Sequence, residues 1–503
     1  MQTDTAASLF LKRLVHKNFL LFCAALLVGA IFLHIVSGWD INIHGQRLLG
    51  SFAAIVVVWS SGCTTLPVSC LLLLVLMTFS ATDFAGTGGS GVPMGTALRQ
   101  SLGGFATLVP ITILTGTAFA AVLRSSGFAE RIVYLILKLV AGKSGGATPA
   151  RVLGAFFIAE LPASIMIPSA AGRTAMYLAI VNGFDKPLGF TKADDGAIAN
   201  PFQKALWIGV SFICLIMGGA FLTGASLTLM VGGIIEQGTG IAQFWTSSFA
   251  VLYLPAIAVM FITWLVLLRL FPSTVKRVDS SFINEELTRL GPLTFAEKYC
   301  MAAFILMVGL FLTDSIHRIP PPMVLVITCF SLFVPGIGPG NWHEDGKHIS
   351  WDGFFIIGVA LGFSHMLDEY GVMRFIANQV ALFSINTYLT ALLAMIAITA
   401  VVRLGIASNT ASAALLVPIA IAVGTGAGLT VPQTACVAWV TYVFCRLALF
   451  LPHQSLEILM SYGMNGYTKN DLARAAAIIT PLAILVYLAW ALTVMPGIVA
   501  FFA

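Results

Sequence analysis

The sequence predicts an all-α polytopic membrane protein, and three observations predict it. Of 503 residues, 58% are hydrophobic and only 9% are charged, where a soluble domain carries about 25% charge. Mean hydropathy is +0.96. Apolar runs of about 20 residues, the length that crosses a bilayer as a helix, recur along the chain and are continuous, unlike the alternating strands of roughly ten residues in a membrane β-barrel.

The elements follow in order. The first run, "NFLLFCAALLVGAIFLHIV", is longer than the apolar core of a cleavable signal peptide, and Lys12, Arg13 and Lys17 precede it. Those charges favour a cytoplasmic N-terminus. Candidate spans lie at 18–36, 49–82 (with a break at "TTLPVS"), 105–123, 205–230, 244–271, 296–313, 322–336, 353–367, 431–451 and 473–500. Two more regions, 150–182 and 387–425, are apolar but carry polar residues in mid-run. They read as re-entrant hairpins, which gives about eleven transmembrane helices plus two hairpins. The stretch 271–293 is the most polar long segment and reads as a surface linker. The expected organisation is an N-terminal helix (1–45), a first repeat (46–270), a linker (271–294), and a second repeat with a C-terminal helix (295–503).

The net charge of +5 is small for this length and sits in short loops and at the N-terminus. It reads as topology rather than as a nucleic-acid surface. The eight cysteines have no metal-ligand spacing. No GxxxxGK[ST], HExxH or GxSxG pattern occurs, so neither an ATPase nor a membrane enzyme is expected.

The two halves look alike. "LTGTAFAAVLRSSGFAERIVYLILKLVAG" precedes the break "IPSAAGRTAMYLAI", and "IIGVALGFSHMLDEYGVMRFIANQVALF" precedes "IASNTASAALLVPI". From Gly127 to Ser169 is 42 residues, and from Gly371 to Ser408 is 37. Each half then has another apolar span and a second polar segment, at 218–233 and 451–467. Weak duplication of this kind marks secondary transporters built from repeats. Charged residues at helical spacing after Gly127 and Gly371 suit amphipathic helices along the membrane surface, or spans whose charges lie near their ends.

The chemistry concentrates in the breaks. Ser408, Asn409 and Thr410 offer hydroxyls, an amide and freed carbonyls to a small cation. The half-helix that follows offers N–H groups to an anion. An ordinary N-cap fits the same residues. The matching Ser169-Ala170-Ala171 is poorer in polar groups, but Arg173 and Thr174 follow it. An arginine within an apolar segment needs a partner or water. Arg173 is either an anion ligand, since its fork fits a carboxylate, or the partner of Glu160 across a hairpin turn. Arg446 is a second anion candidate. Arg403 either snorkels or pairs internally. His453 reads as a cavity or core residue, and Asp368, Glu369 and Glu236 as facing water.

At these residues the chain resembles the divalent-anion:sodium symporter family of dicarboxylate, citrate and related anion transporters. "SNTASAALLVPIA" is similar to that family's second Ser-Asn-Thr motif, and "SAAGRTAM" stands at the first. "VVVWSSGCTTLPVSCLLLLVL", "GGAFLTGASLTL" and "LPHQSLEILMSYGMNGYTKNDLARAA" resemble its flanking segments, over roughly residues 45–500. The resemblance implies two inverted repeats, scaffold and transport domains, an elevator motion and a homodimer. It implies no cofactor beyond Na+, with one sodium site at each hairpin tip. Ser408, Asn409 and Ala407 would serve one sodium, and Ser169 with the backbone of Gly218 and Gly219 the other. The anion would rest between them on Ser169, Arg173, Thr174, Ser408, Asn409, Thr410 and Arg446. Three departures stand out: Ala170 and Ala171 replace the first Asn-Thr, Leu404 stands where symporters often have threonine, and Arg173 resembles the arginine of the exchanger branch.

The expected function is therefore secondary transport of small di- or tricarboxylates or another divalent anion, by anion exchange or sodium-coupled symport. The expected setting is the lipid of the plasma (inner) membrane, with no nucleic-acid partner. A sodium/proton antiporter or arsenite-type exporter of similar architecture is the competing expectation, with Glu160 as proton carrier.

Overall fold

Continuous apolar runs in lipid leave the backbone only its own carbonyls to bond, so they become helices. The computed structural model describes residues 17–84, 91–141, 147–184, 200–279, 281–382, 385–405, 408–447, 454–464 and 466–503. Among these residues the structure is helical and contains no β-strand. Among the described residues eight helices are long and apolar enough to cross a membrane, nine if Trp342–His348 and Trp351–Glu369, bent by 59°, form one span. Three shorter apolar helices accompany them. The sequence expectation of about eleven spans counted apolar length alone.

The N-terminal part contains α1 (Lys17–Val36), α2 (Ile43–Ser61), α3 (Leu66–Ala81) and α4 (Met94–Leu102). The break at "TTLPVS" separates two helices, with Gly62 in a left-handed conformation at φ +60° and Pro67 in the first turn of α3. Close packing of α1 on α2 depends on glycine: a Cβ on Gly29 would lie 2.7 Å from the Gly50 carbonyl.

A series of elements then occurs twice in the same order. First come α5 (Leu108–Ser125), α6 (Phe128–Ala141), α7 (Pro149–Met166), α8 (Ala170–Asn182), α9 (Pro201–Gly218), α10 (Ser226–Thr239) and α11 (Trp245–Leu270). After a connecting helix α12 (Ser281–Leu290), α13 (Phe295–Leu312) and α14 (Pro321–Leu332), the second series follows. It comprises α15 (Trp351–Glu369), α16 (Val372–Leu382), α17 (Tyr388–Gly405), α18 (Asn409–Gly426), α19 (Val431–Leu447), α20 (Leu456–Tyr462) and α21 (Lys469–Thr493), and α22 (Met495–Phe502) ends the chain. The stretch read as a surface linker contains α12.

Two glycine turns stand at matching places in these series. Gly127 (φ +82°) and Gly371 (φ +80°) make the turns into α6 and α16. These helices are 14 and 11 residues long and amphipathic, too short to span a bilayer. The first is anchored: Arg131, nearly buried, donates from Nε to Glu297 Oε1 at 2.5 Å and from Nη2 to Oε2 at 3.2 Å. Its guanidinium also donates to the Gly291 and Leu290 carbonyls at the end of α12. Glu297 closes a capping box with Thr294 at the start of α13. At the centre, α9 and α19 are buried on nearly every face, as expected of helices apolar all round.

Candidate functional site

Each series contains a helix that stops, turns at a serine and restarts. In the first, α7 ends at Met166, and Ser169, half-buried, caps α8 by accepting from the Gly172 N–H at 3.1 Å. In the second, Ser408 caps α18 by accepting from the Ala411 N–H at 3.2 Å. The hydrogen-bond offset is the same in both. Ser408, Asn409 and Thr410 are half-buried. Ala407 and His453 lie outside the described residues.

A guanidinium clamps each tip. Arg173, with no exposed surface, donates from Nε to Glu160 Oε1 at 2.7 Å. Its Nη1 donates to the Ile167 carbonyl and, at 2.9 Å, to that of Gly224, and its Nη2 to the Cys214 carbonyl at 3.3 Å. One side chain thus joins the tip, the incoming helix α7, the core helix α9 and the break after it. The pairing with Glu160 is the one realised. Thr174 is buried one position further on, and its hydroxyl has no hydrogen-bond partner among the described residues.

At the second tip Arg403 does the equivalent work from the other arm. Its Nη2 donates to Asn409 Oδ1 at 2.8 Å and to the Gln454 carbonyl at 2.5 Å, and its Nη1 to Ser412 Oγ at 3.3 Å. Gln454 Nε2 returns a bond to the Arg403 carbonyl at 2.6 Å. Arg403 therefore pairs internally. Its grip on Asn409 was not legible, because the two residues lie on different helices, α17 and α18.

Between the tips the ends of the core helices meet. The last carbonyls of α9 lack intrahelical donors and carry the negative end of the helix dipole, which suits a cation. Arg446, on α19 and 3% exposed, fills that place, donating from Nε and Nη2 to the Leu215 carbonyl at 3.1 and 2.9 Å. A Cβ on Gly218 would lie 2.5 Å from Arg446 Nη2 and 3.2 Å from Arg173 Nη2, and one on Gly219 3.3 Å from Arg446 Nε. The Gly218 carbonyl accepts from Thr228 Oγ1 at 2.8 Å, and that hydroxyl shares a 2.5 Å bond with Tyr442. Thr228 and Tyr442 were missed by sequence reading; each looks like an ordinary residue of an apolar helix. Among the described residues Arg446 has no carboxylate within 4.0 Å, whereas Arg173 does.

The two serine-capped breaks are thus each flanked by a buried arginine. The sodium:sulfate symporter transmembrane region, as a family model, matches residues 16–498. The chain belongs to this sodium:sulfate symporter family. It is 24% identical over 421 residues to a protein described as a membrane protein from Cupriavidus necator, covering 82% of this chain and 79% of that one. It is 25% identical over 319 residues to the chloroplast dicarboxylate transporter 2.1 of Arabidopsis thaliana, covering 62% of this chain and 54% of that one. With dicarboxylate transporter 1 of Spinacia oleracea the identity is 21% over 365 residues, or 71% and 60% of the two chains. The protein is thus an integral membrane transporter of the sodium:sulfate symporter family, and family membership implies an anion as its cargo.

Proposed function

We propose that this protein exchanges small di- or tricarboxylate anions across the plasma membrane, using fixed guanidinium groups where other family members would use sodium. One observation carries the reading: buried arginines stand beside residues that the resemblance gives to cations. Arg446 and Arg173 crowd Gly218, and Arg403 takes the amide oxygen of Asn409. The anion rests between the hairpin tips on the Ser408, Asn409 and Thr410 groups, Ser169 and Arg446. Arg173 and Thr174 support the site from behind.

A fixed charge favours exchange over net uptake. A desolvated guanidinium without its anion is costly to carry through the membrane, so the empty carrier returns slowly and the loaded one quickly. Two inverted repeats, a homodimer and an elevator motion of the transport domain, with a cytoplasmic N-terminus, complete the proposal. The chloroplast relatives named as dicarboxylate transporters support the substrate class. The competing proton-antiport reading needs Glu160 as a carrier, and that carboxylate is buried and bonded to Arg173.

Asn409→Ala removes the amide and a ligand of Arg403 at once. Labelled dicarboxylate uptake into dicarboxylate-loaded proteoliposomes should fall about tenfold or more, the cost of a charge-assisted hydrogen bond. Wild-type uptake in this variant would overturn the site assignment.

A further inference from the structure

The two amphipathic helices that follow the matched glycines end in different situations. Arg131 on α6 is locked by Glu297. On α16, Arg374 is exposed, has no carboxylate within 4.0 Å among the described residues, and faces a cavity of about 1040 Å³. That cavity lies far from the hairpin tip. Its wall on α18 runs from Pro418 to Gly426, and its near edge at Pro418 is 10 residues beyond Ser408, roughly 15 Å along a helix.

Four helices line the cavity, and its polarity is graded. On α18, Pro418, Ile421 and Ala422 form an apolar wall, with Thr425 nearer the helix end. Arg374 and Asn378, one turn apart, present donors from α16. Asp368, exposed near the end of α15, presents an acceptor on the same cavity. An amphipathic helix too short to span suits the membrane surface, a placement of α16 that would open the cavity at headgroup depth with its apolar wall toward the acyl chains.

We propose that this cavity binds a phosphatidylethanolamine molecule of the surrounding leaflet. The chemistry selects it on three counts. A guanidinium and an amide suit the phosphate. A carboxylate suits a primary ammonium, whose three N–H groups donate, and cannot receive a hydrogen bond from a quaternary choline. The Pro418, Ile421 and Ala422 wall suits an acyl chain, whereas a soluble anion would gain nothing from it and would be repelled by Asp368. The bound lipid touches α15 and α16 on one side and α18 on the other, so it packs between the two proposed moving bodies.

The test is binding, and does not depend on which anion is carried. The full-length protein is reconstituted in nanodiscs of phosphatidylcholine with equal small fractions of phosphatidylethanolamine and phosphatidylglycerol of matched chains. Retained lipid is then counted by native mass spectrometry. One phosphatidylethanolamine is expected to be retained in preference to both others. Arg374→Gln and Asp368→Asn should each reduce that retention about tenfold, and Asp368→Asn should shift the preference toward phosphatidylglycerol. Equal retention of all three lipids, preference for phosphatidylglycerol in the wild type, or unchanged retention in both variants would overturn the proposal.

Discussion

Replacing Arg446 with glutamine is expected to lower anion exchange in proteoliposomes at least about 30-fold, because truncating one partner of a buried, hydrogen-bonded charge pair costs about 2–5 kcal/mol. In this reading the partner is the anion itself: the guanidinium already satisfies the Leu215 carbonyl and has no acidic neighbour within 4.0 Å among the described residues. The loss should appear as weakened anion binding, measured by the concentration of unlabelled dicarboxylate that half-displaces the labelled one. Arg446→Lys keeps the charge but loses the fork, so it should recover part of the binding and less of the exchange rate. A glutamine variant that binds the anion as tightly as the wild type would remove Arg446 from the site.

The second large effect concerns the fold rather than the substrate. Glu160→Leu leaves Arg173 charged in a fully buried position, and breaking such a pair costs about 3–5 kcal/mol. Purified in detergent, this variant should unfold at a clearly lower temperature or fail to accumulate. Glu160→Leu with Arg173→Met removes both charges and should regain much of the loss. The recovery is expected to be incomplete, since the Ile167, Gly224 and Cys214 carbonyls then lose their donor. Arg173→Lys should not substitute for the native residue, because a single ammonium cannot reach acceptors on four separate elements. Wild-type thermal stability in Glu160→Leu would show that the pair does not hold the tip.

Much of this architecture was legible in the sequence, for physical reasons that can be named. Membrane class follows from composition, since no core hides so much apolar surface. The breaks at Ser169 and Ser408 were visible because small polar residues in mid-run have few uses other than capping. Charged residues at helical spacing after Gly127 and Gly371 marked α6 and α16 as amphipathic. What stayed hidden depends on the hairpins closing. Periodicity does not say whether Arg173 faces Glu160 or an anion, and nothing local links Arg403 to Asn409 or Arg446 to Leu215. The end of α9 was hard to place because its break, "GGAFLTGAS", is almost as apolar as the helices around it. The polar stretch after α11 concealed α12 for the opposite reason: too few apolar residues to read as structure until Arg131 donates to the carbonyls at its end.

Whether arginine takes the place of the coupling cation is tested most directly by counterflow in proteoliposomes loaded with an unlabelled C4, C5 or C6 carboxylate, with labelled carboxylate outside, in buffers with sodium and with sodium replaced by choline. Uptake is predicted to require the internal anion and to proceed at the same rate in both buffers. Uptake that disappears without sodium, or that runs equally well into liposomes with no internal anion, would contradict it.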